Sequence, residues 1–170
     1  GALVLNDIGP VLERTGLARI IATVGRVPRP VDWPEATRVM KELNARQFPG
    51  ISDAEWDAIT RQWFNDDGSR PVPGYDPNIA RSIALPNGPL PEFWPQFAAL
   101  ARVPILALRG ENSDILSAAT LALMQQRHPH CLALTVRGQG HAPLLRDRPT
   151  IEAIGDFLAR ADAAGAAIAA

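Results

Sequence analysis

The sequence predicts an α/β fold in which three parallel strands carry flanking helices and are interrupted by a long helical insertion. Three observations support it. The first is a set of short, nearly all-apolar runs, each ended by turn residues. Ala2 to Leu5 is followed by Asn6-Asp7 and Gly9-Pro10, Val103 to Leu108 by Arg109-Gly110, and Leu132 to Val136 by Arg137-Gly138. Strands buried on both faces of a parallel sheet read this way, without the alternation of a half-exposed strand. The second is the helical spacing of Ala118, Leu121 and Met124 between the last two runs, ended by His128-Pro129, which makes a strand, helix, strand crossover. The third is a change of texture between residues 11 and 100, which hold 11 of the 16 prolines and all four tryptophans. That stretch carries helical patterns and no convincing strand.

Along the chain, residues 1–10 form the first strand and its turn. Residues 11–100 form the helical insertion and its connection to the core. Within it, Asp32 caps a helix beginning at Pro34, with Ala36, Val39, Met40 and Leu43 at helical spacing. Ser52-Asp53-Ala54-Glu55 is a capping box, flanked by Ile51 and Trp56 at staple positions, so a second helix turns Trp56, Ile59 and Trp63 inward. Asn65 to Gly68 closes that helix, and a third runs from about Pro91 to Ala101 with Phe93, Phe97 and Leu100 on one face. Residues 101–163 form the rest of the core. Their last helix, Pro149 to Arg160, puts Ile151, Ile154, Phe157 and Leu158 on one side. The Ala-rich tail, 164–170, is expected to fray.

Composition narrows the function classes. The 170 residues are 46% hydrophobic and 21% charged, enough apolar content for a substantial core. Seventeen Lys and Arg against 18 Asp and Glu give a net charge of -1 without a basic block, so nothing favours nucleic acid or an anionic membrane. No apolar run approaches the roughly 18 residues of a membrane span, no secretory leader is apparent, and a cytoplasmic location is expected. A single cysteine, Cys131, excludes an internal disulfide framework and a multi-cysteine zinc module. The chain opens on Gly1-Ala2 and enters an apolar strand at once, which reads as a chain whose beginning is missing.

Two residues stand where a parallel sheet collects its functional groups, just beyond the carboxyl ends of strands. Asp114 follows the second run in Arg109-Gly110-Glu111-Asn112-Ser113-Asp114, and His141 follows the third in Gly138-Gln139-Gly140-His141-Ala142-Pro143. Either alone has an ordinary explanation: an Asp after a strand is most often a turn or cap residue, and a His beside glycines a solvated loop residue. Ser117 is the better-placed cap for the following helix, which weakens the ordinary reading of Asp114. Together, one crossover apart, they make a general-base pair in which the carboxylate fixes the imidazole tautomer and stabilises the imidazolium. Ile115 and Ala142 beside them are the expected pocket lining.

The stretch from Val103-Pro104-Ile105-Leu106 through Arg109-Gly110-Glu111-Asn112-Ser113-Asp114-Ile115-Leu116 to Gly140-His141-Ala142-Pro143 resembles the C-terminal part of the α/β-hydrolase superfamily. Asp114 matches that family's catalytic acid and His141 its catalytic base. Leu3-Val4-Leu5-Asn6-Asp7-Ile8-Gly9-Pro10 is similar to the strand after the family's nucleophile region, and Trp63-Phe64 through Tyr75-Asp76-Pro77 resembles the cap of bacterial esterases and carbon-carbon bond hydrolases. The resemblance implies a partial α/β-hydrolase fold with a helical lid. It also implies a serine-type hydrolase acting on an ester or related activated carbonyl with an apolar moiety, and a small molecule as substrate. It covers nearly all of this chain and only the second half of the family's domain.

The departures from the family pattern matter equally. The nucleophile of that family sits in a Gly-x-Ser-x-Gly elbow, and these 170 residues contain none. The oxyanion hole, built from the residue after the nucleophile and from an early loop, is missing for the same reason. Cys131, at a strand start away from the edge of Asp114 and His141, reads as a buried cysteine. The chain alone is therefore expected to be inactive, with the complementary N-terminal half as a partner and an exposed strand edge that favours self-association. Gly138-Gln139-Gly140 lacks the third glycine of a dinucleotide fingerprint, and His128-Pro129-His130 reads as a surface turn; no cofactor and no metal are predicted. Two alternatives stay open: a non-catalytic protein binding a small molecule or a partner on the same scaffold, and a dehalogenase or epoxide-hydrolase branch with an Asp nucleophile.

Overall fold

A computed structural model describes residues 1–27, 29–76, 78–82 and 87–169. Pro77, part of the resemblance to the cap, lies outside them. The chain divides into two units, residues 1–16 with 88–170, and residues 17–87.

In the first unit the three apolar runs become β1 (Leu3–Asn6), β4 (Ile105–Gly110) and β5 (Cys131–Val136), a parallel sheet in the order β1-β4-β5. Leu3 pairs with Ile105 and Ile105 with Cys131, and the β1·β4 ladder extends one bond further, from the Asp7 amide to the Leu108 carbonyl at 2.8 Å. Side chains alternate across the sheet, as the period of two demands. Ile105, Ala107 and Cys131 pack on one face with Leu116, Leu121 and Met124. Leu106 and Leu108 pack on the other with Phe157 and Ile154. The first face is covered by α6 (Ala118–Arg127), capped by Ser117 through the Thr120 amide, and by α5 (Trp94–Ala98) through Phe97. The second is covered by α7 (Arg148–Ala169).

Three expectations need correction in this unit. Ile151 and Leu158 are exposed, at 53% and 41%; only Phe157 and Ile154 of the apolar face reach the sheet, because at about 3.6 residues per turn Ile151 and Leu158 both fall to one side of the stripe that Ile154 and Phe157 define. The last helix does not end at Arg160, since α7 continues to Ala169. His128 is not in a surface turn but buried, its Nε2 2.9 Å from the Leu100 carbonyl and its Nδ1 accepting the His130 amide. A carbonyl only accepts, so the ring is the Nε2-H tautomer and ties the end of α6 to the turn after α5.

The second unit contains most of α1 (Arg14–Thr23), then α2 (Trp33–Asn44), α3 (Asp53–Trp63), β2 (Phe64–Asp66), β3 (Pro71–Pro73) and α4 (Ile79–Ser82). Both caps read from the sequence are present: Asp32 accepts the Glu35 amide, and Ser52 and Glu55 form a reciprocal capping box. Ala36, Val39 and Met40 of α2 are buried with Trp56 and Ile59 of α3, and Phe48 meets Trp56 edge-on at 6.3 Å between centroids. The stretch does contain strand. Phe64 to Asp66 pairs antiparallel with Pro71 to Pro73, turned by Asp67, whose carboxylate accepts the amides of Ser69 and Arg70. Prolines at both ends of β3 hid it, because proline removes ladder donors and argues against a strand. Leu43 and Trp63 are not in the core; they are 41% and 39% exposed and line a cavity of about 400 Å³ together with Val24, Val27 and Tyr75.

Candidate active site

The carboxyl end of the parallel sheet brings three loops together. The first follows β1, the second joins β4 to α6, and the third follows β5. Their meeting point is Asp7. It is fully buried and has a positive φ of 60°, a backbone region that Asp tolerates better than most residues. That turn lets its carboxylate face back across the end of the sheet. Oδ1 accepts the Gly110 amide at 2.8 Å, and Oδ2 accepts the Ser113 hydroxyl at 2.6 Å. His141 Nδ1 stands 2.8 Å from the same Oδ2.

The tautomer follows from this geometry. A carboxylate oxygen only accepts, so Nδ1 carries the proton toward Asp7, and in the neutral ring the lone pair is on Nε2. The His141 side chain is 24% exposed against none for Asp7, so the ring stands between a buried charge and the surface. A half-exposed imidazole held at Nδ1 by a buried carboxylate can take up and return a proton.

The loop of Asp114 is anchored to the same carboxylate. Ser113 Oγ donates to Asp7 and accepts the amides of Ile115 and Leu116, both at 3.1 Å, which fixes the backbone on either side of Asp114. Asp114 itself is half-buried and packs against Gly16, where a Cβ would run into the Asp114 carbonyl and come within 2.8 Å of its Oδ1. Both residues expected from the sequence therefore sit at this end of the sheet, on loops joined through Asp7. Ile115 is buried and Ala142 half-buried; neither lines the 400 Å³ cavity, which is formed by residues of the second unit.

The loop of His141 is held from several directions. The Asn6 side-chain amide donates to the Pro143 carbonyl at 3.1 Å. Gln139 donates to Asp147 and accepts the Leu144 amide, closing a ring around residues 139–147. Burial works to raise the Asp147 carboxyl, but hydrogen bonds from Thr150 and Gln139 outweigh it and hold the group below the usual carboxylate value. Gly110 allows close approach, because a Cβ there would collide with the carbonyls of Gln139 and Gly140.

The sequence does not single out Asp7: beside Asn6 it has the character of a turn residue, although it occupies beyond β1 the same kind of position that singles out Asp114 beyond β4. Cys131 lies at the start of β5, at the opposite end of the strand from the His141 loop, and burial pushes its thiol above the ordinary value. Among the described residues no group of three His, Cys, Asp or Glu could hold a metal ion. No helix among them is long and apolar enough to cross a membrane.

Comparison with known proteins agrees with this fold. No protein-family model matches the chain. It is 30% identical over 167 residues to a 3-hydroxybutyrate-oligomer hydrolase of Cupriavidus necator, covering 91% of this chain and 55% of the relative. Among solved structures it resembles an α/β hydrolase from Novosphingobium aromaticivorans, with 37% identity and a TM-score of 0.84 over 94% of this chain and 56% of that one. An esterase of M. tuberculosis, 18% identical with a TM-score of 0.61, shares the fold over 93% of this chain and 54% of its own. The chain spans about half the length of each of these relatives. With its parallel sheet, its flanking helices and these neighbours, the chain has an α/β-hydrolase-like fold and is similar to members of that superfamily over about half of their length.

Proposed function

We propose that the protein containing this chain hydrolyses an ester or a similarly activated carbonyl compound with an apolar moiety, using His141 as general base. The observation that carries the reading is the buried carboxylate at Nδ1 of an imidazole at the carboxyl end of a parallel sheet. In the reaction, His141 Nε2 removes the proton of a serine nucleophile supplied from outside these 170 residues. The nucleophile attacks the carbonyl carbon, the tetrahedral intermediate collapses to an acyl-enzyme, and the leaving alkoxide takes the proton from His141. Water repeats the sequence, with His141 again accepting a proton and then returning it to the nucleophile. Asp7 supports the imidazolium at Nδ1, Asp114, which the resemblance matches to the family's acid, adds its carboxylate from the loop anchored to Asp7 through Ser113, and the complementary N-terminal half brings the nucleophile and the oxyanion donors.

One further observation supports the substrate class. The relative from Cupriavidus necator acts, by its name, on oligomers of 3-hydroxybutyrate, so short hydroxyacid oligoesters join simple acyl esters as first substrates. The full-length protein should hydrolyse such esters with release of acid, and His141→Ala should lower kcat by about 10³-fold or more, the scale expected for loss of a triad base. Hydrolysis unchanged in His141→Ala would overturn the reading.

A further inference from the structure

We propose that Asp7 is a positioning residue for the reaction: it fixes the working tautomer of His141 and locks the loop of Asp114 in register with it. The inference rests on the reading of His141 as general base.

The argument begins with the count of bonds on one side chain. The Asp7 carboxylate receives three donors, from Gly110, Ser113 and His141, and these come from the end of a strand and from both functional loops. A carboxylate has about four acceptor positions and no donor, so it satisfies three donors at once without competition. Complete burial removes water as an alternative partner for each of them. The backbone position is also set deliberately, because the Asp7 amide still pairs with Leu108 while the chain turns through a positive φ. Asn6, one residue earlier, holds the His141 loop through Pro143. The end of β1 therefore clamps the imidazole loop by two neighbouring side chains.

Asparagine would occupy the same volume with one acceptor replaced by a donor. If its oxygen keeps the Gly110 amide, its NH₂ faces Ser113 Oγ and His141 Nδ1. The lone pairs of the serine hydroxyl already face the Ile115 and Leu116 amides, and the imidazole can accept only by moving its proton to Nε2. In that tautomer the ring cannot receive the nucleophile's proton, so a change with little effect on shape removes the base.

The experiment uses the full-length protein. In nitrogen-15 histidine NMR of the wild type, His141 should show a protonated Nδ1 and a bare Nε2; the Nε2-H tautomer would overturn the proposal, and this measurement stands even if a variant fails to fold. Asp7→Asn should lower kcat at least tenfold with KM within about twofold and unchanged circular dichroism, and should move the His141 proton to Nε2. A kcat within twofold of wild type in Asp7→Asn, while His141→Ala is inactive, would refute the role of Asp7 and leave the base intact. An active His141→Ala would instead refute the underlying reading of His141.

Discussion

The helix caps and turns of the second unit and the carboxylate at the sheet end of the first work over different distances along the chain. In the second unit the capping and turn bonds are local: Asp32 to Glu35, Ser52 to Glu55 and Asp67 to Arg70 span three residues each, and Thr60 to Trp56 spans four. In the first unit Asp7 reaches residues 103, 106 and 134 positions away. Local bonds start and stop secondary structure. The distant ones hold three loops at one end of a sheet, which is where chemistry needs fixed geometry.

The contrast can be tested by perturbing each unit in its own terms. Within the second unit the largest effect should come from Trp56, 2% exposed and in contact with Phe48. Trp56→Ala should cost about 3–5 kcal/mol, read as a lowered denaturation midpoint in the full-length protein. Loss of less than about 1 kcal/mol would mean that this helical unit does not depend on its apolar core.

Gly110→Ala probes the first unit in the opposite way, through space rather than burial. The added methyl group meets the carbonyls of Gln139 and Gly140, so the His141 loop must shift. A misplacement of this kind should lower kcat by about tenfold to a hundredfold while the fold survives by circular dichroism. An active Gly110→Ala enzyme would show that the loop has slack the structure does not suggest.

A smaller effect concerns acid. The Asp147 carboxyl is held below its usual value in the folded chain, so over the acid range the folded state binds fewer protons there than the unfolded state. The contribution of Asp147 to stability is then complete above the ordinary Asp value of about 4 and is lost as pH falls through the depressed one. Asp147→Asn should therefore flatten the decline of Tm below about pH 4, the ordinary titration range of the group. An unchanged acid limb would separate the Gln139 and Thr150 contacts from stability.

The smallest expected change is Ser52→Ala, which removes one half of the capping box. It should cost about 1 kcal/mol in a denaturant melt and leave kcat unchanged, because the bond it removes is local to α3. A large loss of activity here would break the distinction between the two units.

The same distinction explains what could be read without coordinates. The three strands, the Ser117 cap and the Ser52 capping box follow from patterns a few residues long, and each is present. The short strand at Pro71 was hidden by proline, and the inward face of α7 was overestimated because its four apolar positions spread over more of the helix circumference than the stripe that meets the sheet. Position after a strand pointed to Asp114 and His141, yet the same rule applied to Asp7 lost to the more common reading of Asn-Asp as a turn.

By itself the sequence determined the class of fold, the parallel character of the strands and the edge where functional groups collect, because periodicity, caps and turns act over a few residues. Only the tertiary structure decided that Asp7 meets His141 at 2.8 Å and holds the Asp114 loop through Ser113. Those bonds join residues more than a hundred positions apart, and their register depends on how β1 pairs with β4 and how tightly Gly110 lets the loops approach.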